Sequence, residues 1–151
     1  MDAPDLSPRR ASPADHATLL RLIAAYYAYD HIAFDEPVAR AGLAQLLSDE
    51  ATGRAYLLER RGEIAGYFIF TFGFDVEFGG RLATLTDLYL EPAFRGAGLG
   101  TAALEFIAAE CRALGVKAIE LQVEEANLPA QALYRKLGFE RLSRLPMSKL
   151  L

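Results

Sequence analysis

The stretch EPAFRGAGLG, residues 91–100, constrains the fold of this chain more than any other segment. It separates an apolar run of high β propensity from a long helical pattern, and it carries glycine at 96, 98 and 100. Each glycine costs about 1 kcal/mol relative to alanine inside a helix, so the segment predicts a turn whose backbone must be bare. The N–H groups at a helix start carry about half a positive charge, and Arg95 adds a cation. The turn therefore predicts a phosphate or pyrophosphate site, although a sharp turn without a ligand would use the same glycines.

Two sharper templates for glycine-rich phosphate loops fit this turn badly. A P-loop needs Gly-Lys followed by Ser or Thr, which the segment lacks. A dinucleotide fingerprint can be aligned on Gly98, Gly100 and Ala103, with Glu124 as the distant acid. That fold needs more parallel strand than a chain of 151 residues leaves beside its predicted hairpins.

Patterns of apolar residues along the chain predict one domain, residues 1–151, of the α/β (α+β) class. Ser12 and Asn127 are expected helix caps, and Arg61-Gly62 and Gly79-Gly80 are expected hairpin turns. The expected elements are a lead segment, a strand at 6–10, helices from 13 and over 37–47, strands at 54–60, 63–72 and 81–90, a helix over 99–114, a strand at 117–123, a helix after Asn127, and one or two final strands. They predict a mixed central sheet of six to seven strands flanked by four helices, antiparallel early and with a right-handed crossover later.

The composition excludes several classes of protein. With 52% hydrophobic residues the chain is not disordered, and charged residues interrupt every apolar run before the roughly 18 residues of a membrane span. The net charge of −4 argues against nucleic acid as a partner and suits a cationic or neutral small substrate. Cys111 is the only cysteine, and His16 and His31 lie far apart, so we expect no disulfide and no metal site. The first residues, MDAPDLSPRR, lack the pattern of a signal peptide, so we expect a cytoplasmic protein.

Two segments match the motifs of one enzyme superfamily. In LYLEPAFRGAGLG, Arg95, Gly98 and Gly100 fit an Arg/Gln-x-x-Gly-x-Gly/Ala pattern that follows a strand ending in apolar-x-Pro. The segment NLPAQALYRKLGF fits a second pattern, Asn-x-x-Ala-x-x-Leu-Tyr-x-Lys-x-Gly-Phe, at Asn127, Ala130, Leu133, Tyr134, Lys136, Gly138 and Phe139. By these motifs, which lie within residues 84–140, the chain resembles the GNAT superfamily of N-acetyltransferases.

The resemblance implies acetyl-CoA as cosubstrate and donor, with no metal. Its pyrophosphate would lie on backbone N–H groups of the turn and the first helical turn, namely Arg95, Gly96, Ala97, Gly98, Leu99, Gly100 and Thr101. Its pantetheine arm would pair, like an added strand, with the backbone of Leu88, Tyr89 and Leu90. Asn127 would lie near this arm, and Tyr134 would lie near the thioester sulfur.

The chemistry of amine acetylation assigns two catalytic candidates. The departing CoA thiolate needs a proton, which the phenol of Tyr134 is placed to supply, although a tyrosine at this helical spacing is often only a packed aromatic. An alkyl amine must lose a proton before it attacks, and Asp87 is the first candidate base. Some relatives carry a glutamate on this strand, whereas this chain has Thr84 and Thr86 at the neighbouring positions. Asp87 would alternatively bind the substrate cation or cap a structural network.

The segments GYFIFTFGFDVEFGG and LTDLYLEPAFRG are also similar to those of diamine and polyamine N-acetyltransferases. Asp75, Glu77 and Asp87 would then attract an amine between walls formed by Tyr26, Tyr27 and Phe74, although each of these residues alone has an ordinary structural explanation. The leading hypothesis is acetyl transfer to a primary amine of a small molecule. The alternatives are a non-catalytic acyl-CoA sensor and acetylation of a protein or peptide amine. Family habit also makes a homodimer an expectation, through the C-terminal tail.

Overall fold

A computed structural model describes residues 5–151 as one mixed sheet with helices on both faces. Residues 1–4, which include most of the expected lead segment, lie outside the described residues. The elements are β1 (Ser7–Arg10), α1 (His16–Tyr29), α2 (Glu36–Ser48), β2 (Gly53–Arg60), β3 (Glu63–Asp75), β4 (Gly80–Leu90), α3 (Leu99–Ala113), β5 (Val116–Leu121) and α4 (Leu128–Lys136). Short 3₁₀ helices at Pro13–Asp15 and Pro92–Phe94 precede α1 and α3. The predicted elements up to the last helix are present, with ends that differ by a few residues.

The sheet has five strands in the order β1-β2-β3-β4-β5, so the prediction of six to seven strands is wrong. The first four strands pair antiparallel, and β5 pairs parallel to β4 after the crossover through α3. The Arg61-Gly62 turn is confirmed, since both residues have positive φ angles of 51° and 81°, as a tight hairpin of this hand requires.

The missing strands are those predicted for the C-terminal tail. Residues 139–151 form no strand, and the large apolar side chains beyond Phe139 are exposed. The segment has too few alternating residues to bury a face by itself, and Pro146 removes one backbone donor from any ladder. Apolar composition alone therefore suggested a strand for which this chain provides no pairing partner.

Two clusters of buried side chains lie on opposite faces of the sheet. Helices α1 and α2 cover one face, around Leu19, Leu22, Leu57, Tyr67 and Ile69. Helices α3 and α4 cover the other face, around Leu58, Phe68, Phe70, Leu104 and Ile107. Cys111 belongs to this second cluster, where burial raises the pKa of its thiol to about 11. No helix within residues 5–151 combines the length and the apolar character that crossing a bilayer requires.

Candidate active site

A gap opens in the sheet where β4 runs past the end of β5. The parallel ladder joins Arg81–Leu85 of β4 to β5, and β5 ends at Leu121. Residues 87–90 of β4 pair with β3 only, and no ladder to β5 is formed beyond Leu85. One edge of β4 therefore presents main-chain groups that an extended ligand can pair with. The predicted pantetheine residues Leu88, Tyr89 and Leu90 all lie on this stretch.

A β-bulge in β4 decides which side chains face this gap. Leu85 pairs with Phe70 and Asp87 pairs with Ile69, so Thr86 is an extra residue without a partner on β3. Because side chains alternate along a strand, residues 85 and 87 would normally share a face. With the extra residue, Leu85 packs with the α3 cluster, whereas Asp87 turns to the face covered by α1.

The glycine turn has the geometry of an anion site. Gly96 and Gly98 have φ angles of 82° and 75°, in the left-handed region that glycine favours. A Cβ built on either would meet no other atom within 4 Å, so the space beside the turn is open to a ligand. Gly98 is also the N-cap of α3 and has no side chain with which to cap it. The N–H groups of the first helical turn, residues 99–101, therefore lack an intrahelical acceptor and point toward this space.

The side chain of Arg95 folds back onto aromatic rings. Its Cζ lies 4.2 Å from the ring centroid of Tyr29 and 5.4 Å from that of Tyr89. Its Nε donates to the carbonyl oxygen of Leu90 over 2.9 Å, and its backbone N–H donates to the carbonyl of Pro92 over 3.3 Å. The backbone N–H and the Nε of Arg95 are thus engaged inside the protein, and its guanidinium lies over the two rings.

Asp87 is a buried carboxyl held by a buried phenol. It is 6% exposed, and its Oδ2 accepts a hydrogen bond of 2.7 Å from the hydroxyl of Tyr67. Burial raises the pKa of Asp87, while the hydrogen bonds from Tyr67 and Thr86 oppose that rise. The pKa of Tyr67 is raised too, by burial and by the neighbouring Asp87, so this phenol stays protonated as the donor. A carboxylate of raised pKa is a stronger base than one in water.

Tyrosines of α1 surround this carboxyl. The Tyr26 ring centroid lies 6.4 Å from that of Tyr67, and the Tyr26 hydroxyl donates to Oδ2 of Asp30 over 3.3 Å. Burial raises the pKa of Tyr26 and of Tyr27, and the charge of Asp87 contributes in both cases. Tyr26 and Tyr27, which the sequence suggested as walls of an amine site, therefore lie next to Asp87.

Tyr134 approaches the same place from the opposite face of the sheet. It lies on α4, packs edge-on against Phe139 at 5.7 Å between ring centroids, and is half-buried. Burial raises its pKa, and the charge of Asp30 adds to the rise. Helix α4 lies against the start of α3, since a Cβ on Gly100 would stand 3.4 Å from Cδ2 of Leu133. Tyr134 is therefore a protonated phenol at neutral pH, close to both the glycine turn and α1.

Other sequence candidates lie elsewhere or have another task. Asn127 caps α4, its Oδ1 accepting from the N–H of Ala130 over 3.2 Å. Phe74, Asp75 and Glu77 lie at the tip of the β3–β4 hairpin; Phe74 is five residues along β3 from the partner of Asp87, or about 16 Å. The idea that these three residues line the amine site is therefore wrong, and Asp75 and Glu77 are solvated hairpin charges. Within residues 5–151, no group of three or more His, Cys, Asp or Glu side chains is placed to hold a metal ion.

The sequence interpretation missed Tyr67 as the hydrogen-bond partner of Asp87. It considered Asp30 at the helix end but interpreted it as part of a turn. Tyr67 sits in an ordinary apolar strand, and only the β3–β4 register brings it to Asp87. One signal was available: Tyr67 is a polar-tipped residue inside the run EIAGYFIFTF, and a buried phenol needs a partner.

Comparison with known proteins agrees with this geometry. The sequence model described as "Acetyltransferase (GNAT) family" matches residues 18–139. The chain is 34% identical over 114 residues to an uncharacterized N-acetyltransferase of Mycobacterium tuberculosis, covering 74% of this chain and 69% of the relative. It is 28% identical over 151 residues to the thialysine N-epsilon-acetyltransferase of Bos taurus, covering 89% and 84%.

Two further comparisons concern a shorter matching segment and the fold. The [ribosomal protein bS18]-alanine N-acetyltransferase of Escherichia coli is 40% identical over 57 residues, which is 38% of each chain. An integron cassette protein from the mobile metagenome of Cole Harbour Salt Marsh superposes with a TM-score of 0.83 and 30% identity, over 95% of this chain and 90% of that one. With a family match over most of its length and the glycine turn in place, this acetyl-CoA-dependent N-acetyltransferase belongs to the acetyltransferase (GNAT) family.

Proposed function

We propose that the protein acetylates a primary amine of a small molecule, by direct attack of the amine on the acetyl-CoA thioester. The observation that carries this proposal is the buried Asp87–Tyr67 pair, which lies beneath tyrosines of α1 and beside the open edge of β4. A basic carboxylate, an aromatic wall and a main-chain edge for the donor meet at one place.

On the donor side, the pyrophosphate lies on the N–H groups of residues 96–101, and the pantetheine arm runs along residues 88–90 of β4. The open space beside Gly96 and Gly98 supports the first contact. The free edge of β4 supports the second, because an extended amide chain pairs with such an edge as a strand does. Asn127 borders the arm through its backbone, since its side chain caps α4.

On the acceptor side, Asp87 takes a proton from the ammonium group, directly or through water. An alkyl amine of pKa near 10.4 is neutral in only about one molecule in 2,500 at pH 7, so the reaction needs this base. The amine nitrogen then bonds to the acetyl carbon, the C–S bond breaks, and the sulfur leaves as CoA thiolate. Tyr134 gives its phenolic proton to that sulfur, and the proton released by the amine later restores the phenol.

The acceptor fits a small cationic molecule better than a protein segment. Tyr26 and Tyr27 enclose Asp87 from the α1 side, and the Asp30 carboxylate beside Tyr26 adds a second negative group. A diamine would place one nitrogen near Asp87 and the other near Asp30. The name of the bovine relative supports a small acceptor, whereas that of the E. coli relative favours the alternative of a protein N-terminus.

The deciding experiment offers the protein acetyl-CoA with each member of an acceptor panel and detects products by mass spectrometry. The panel holds 1,4-diaminobutane, spermidine, thialysine, an aminoglycoside and a peptide that begins with alanine. We expect acetylated small amines and loss of product in Asp87→Asn. Product from the peptide alone would overturn the small-molecule proposal, and CoA binding without any product would favour the acyl-CoA sensor.

We further propose that the protein forms a homodimer in which residues 140–151 of each copy extend the β5 edge of the other. The tail exposes large apolar side chains, such as Leu142, which is 61% exposed, and Met147, which is 95% exposed. Such a surface is unusual for a monomer. The tail carries Arg141, Arg144 and Lys149, whereas β5 and the loop after it carry Glu120, Glu124 and Glu125.

Light scattering after size-exclusion chromatography tests the dimer. We expect twice the 16.6 kDa of one chain for the full protein and the mass of one chain for the variant Leu145→Glu with Met147→Glu. Val38→Glu, which charges another exposed apolar residue, on α2, is the matched control and leaves the mass doubled. A full-length protein that stays monomeric at all concentrations refutes the proposal.

A further inference from the structure

The end of α1 is joined to the segment between β4 and the glycine turn by two arginine contacts. Arg21 of α1 donates to Oε1 of Glu91 over 2.8 Å, at the start of this segment. Arg95, at its other end, stacks on Tyr29 in the last turn of α1. The helix that carries Tyr26, Tyr27 and Asp30 is thus fixed to the segment that leads into the anion site.

The last turn of α1 is partly exposed. Tyr29 is 54% exposed, and the helix ends with His31 at a φ of 55°, a left-handed conformation that suits glycine better than histidine. The N–H of Ile32 closes this end by donating to the carbonyl of Tyr27 over 2.9 Å. A helix end with an exposed last turn opens readily unless a side-chain contact from outside holds it.

Contacts continue from Arg95 to the reacting carboxyl. The ring of Tyr89, the second ring near the Arg95 guanidinium, lies 6.0 Å from that of Tyr26 and 6.3 Å from that of Tyr67 between centroids. Tyr67 in turn donates to Asp87. A displacement of Arg95 is therefore transmitted through packed side chains to Tyr26 and to Asp87 in the acceptor pocket.

We propose that Arg95 is a positioning residue that couples the glycine turn to the acceptor pocket, and that its guanidinium does not bind the phosphates of CoA. This inference rests on the proposed function in taking the Asp87 pocket as the acceptor site. When CoA occupies the turn, it fixes the backbone next to Arg95, and the guanidinium then holds Tyr29 and the last turn of α1. By linkage, an acceptor bound in the pocket strengthens CoA binding by the same factor.

Hydrogen exchange read by mass spectrometry tests the coupling without any acceptor. In the wild-type protein, we expect CoA to slow amide exchange across residues 26–32 by about tenfold. In Arg95→Gln and in Tyr29→Leu, we expect less than about a twofold change there, while calorimetry finds CoA affinity within about threefold of wild type. Arg112→Gln, which removes an exposed arginine from the last turn of α3, is the matched control and keeps the protection.

Two conservative variants distinguish coupling from a general loss of structure. Tyr29→Phe keeps a ring under the guanidinium and Arg95→Lys keeps a cation over the ring, so both restore most of the CoA-dependent protection. A loss of CoA affinity in Arg95→Gln that Tyr29→Leu does not share would make Arg95 a phosphate ligand and overturn the inference. Unchanged protection in both variants would overturn it as well. Absence of acetyl transfer in the wild-type protein would refute the proposed function alone, since neither measurement needs turnover.

Discussion

The starts of helices α3 and α4 differ in how their N–H groups are satisfied. At α4 the side chain of Asn127 caps the helix by accepting from Ala130, and Pro129 fills an early position that needs no donor. At α3 the N-cap is Gly98, in the left-handed region and without a side chain. A helix start that carries its own acceptor is complete, whereas a bare one beside open space needs a ligand to complete it. Under the proposed function, this difference separates the helix that would bind the donor from the helix that would supply a reacting group.

Gly98→Val adds a side chain at the N-cap of α3 and has the largest expected effect. The new side chain enters the space of the pyrophosphate, so we expect CoA affinity to fall by more than about a hundredfold by calorimetry. Valine at a positive φ is also strained, and Gly62→Val controls for this, because Gly62 has a φ of 81° and equally open surroundings on a distant hairpin. If both variants lose CoA equally, strain and not occupancy explains the loss.

Tyr134→Phe tests whether α4 supplies chemistry and not binding. Removing the phenolic proton donor lowers kcat by about a hundredfold, within the usual range for general acid catalysis, while the Kd for CoA changes less than about twofold. The ring stays packed against Phe139, so the thermal midpoint stays close to that of wild type. An equal loss in kcat and in CoA affinity would show that Tyr134 belongs to the binding surface instead.

Asp87→Asn separates the need for a base from the needs of the fold. The folded pKa of Asp87 lies above that of the unfolded chain, so the unfolded state loses this proton first as pH rises. Stability from this group is therefore full at low pH and declines as pH rises from the unfolded pKa toward the folded one. A neutral asparagine avoids this loss of stability. At pH 7 we therefore expect the thermal unfolding midpoint to rise by about 2–4 °C for each kcal/mol of unfolding free energy recovered. The rate of acetyl transfer falls by about a hundredfold.

The pH dependence of the two proteins checks this explanation. Wild-type kcat/KM falls with decreasing pH as Asp87 takes up its proton, whereas in the asparagine variant only the titration of the amine itself, with a pKa near 10.4, remains. The gap in thermal midpoint between variant and wild type narrows at low pH, where Asp87 is neutral in both states. A difference in thermal midpoint that is constant from pH 4 to pH 8 would show that the Asp87 carboxyl does not cause the lower stability of the wild-type protein.

The contrast between the two helix starts could be read from the sequence, because local rules govern it. A glycine run before one apolar helix and Asn-x-Pro before the other predict a bare start and a capped start. The face on which Asp87 lies could not be read. It depends on the extra residue at Thr86, which reverses the alternation of β4, and no local pattern marks that bulge. Tyr67 was missed for the same reason, since the β3–β4 register brings it to Asp87.

Asn127→Ala has the smallest expected effect. It removes the side-chain cap of α4, so that both helix starts lack one. Loss of the cap lowers the free energy of unfolding by about 1 kcal/mol, measured by urea denaturation. The exposed N–H groups of α4 are not accompanied by left-handed glycines, so we expect no second anion site and CoA affinity within about threefold of wild type. Asp35→Ala, which removes the side-chain cap of α2, is the matched control and costs a similar amount of stability. A much larger loss of CoA affinity in Asn127→Ala than in the control would mean that the Asn127 amide contacts the pantetheine arm, and that a cap and a ligand contact share one side chain.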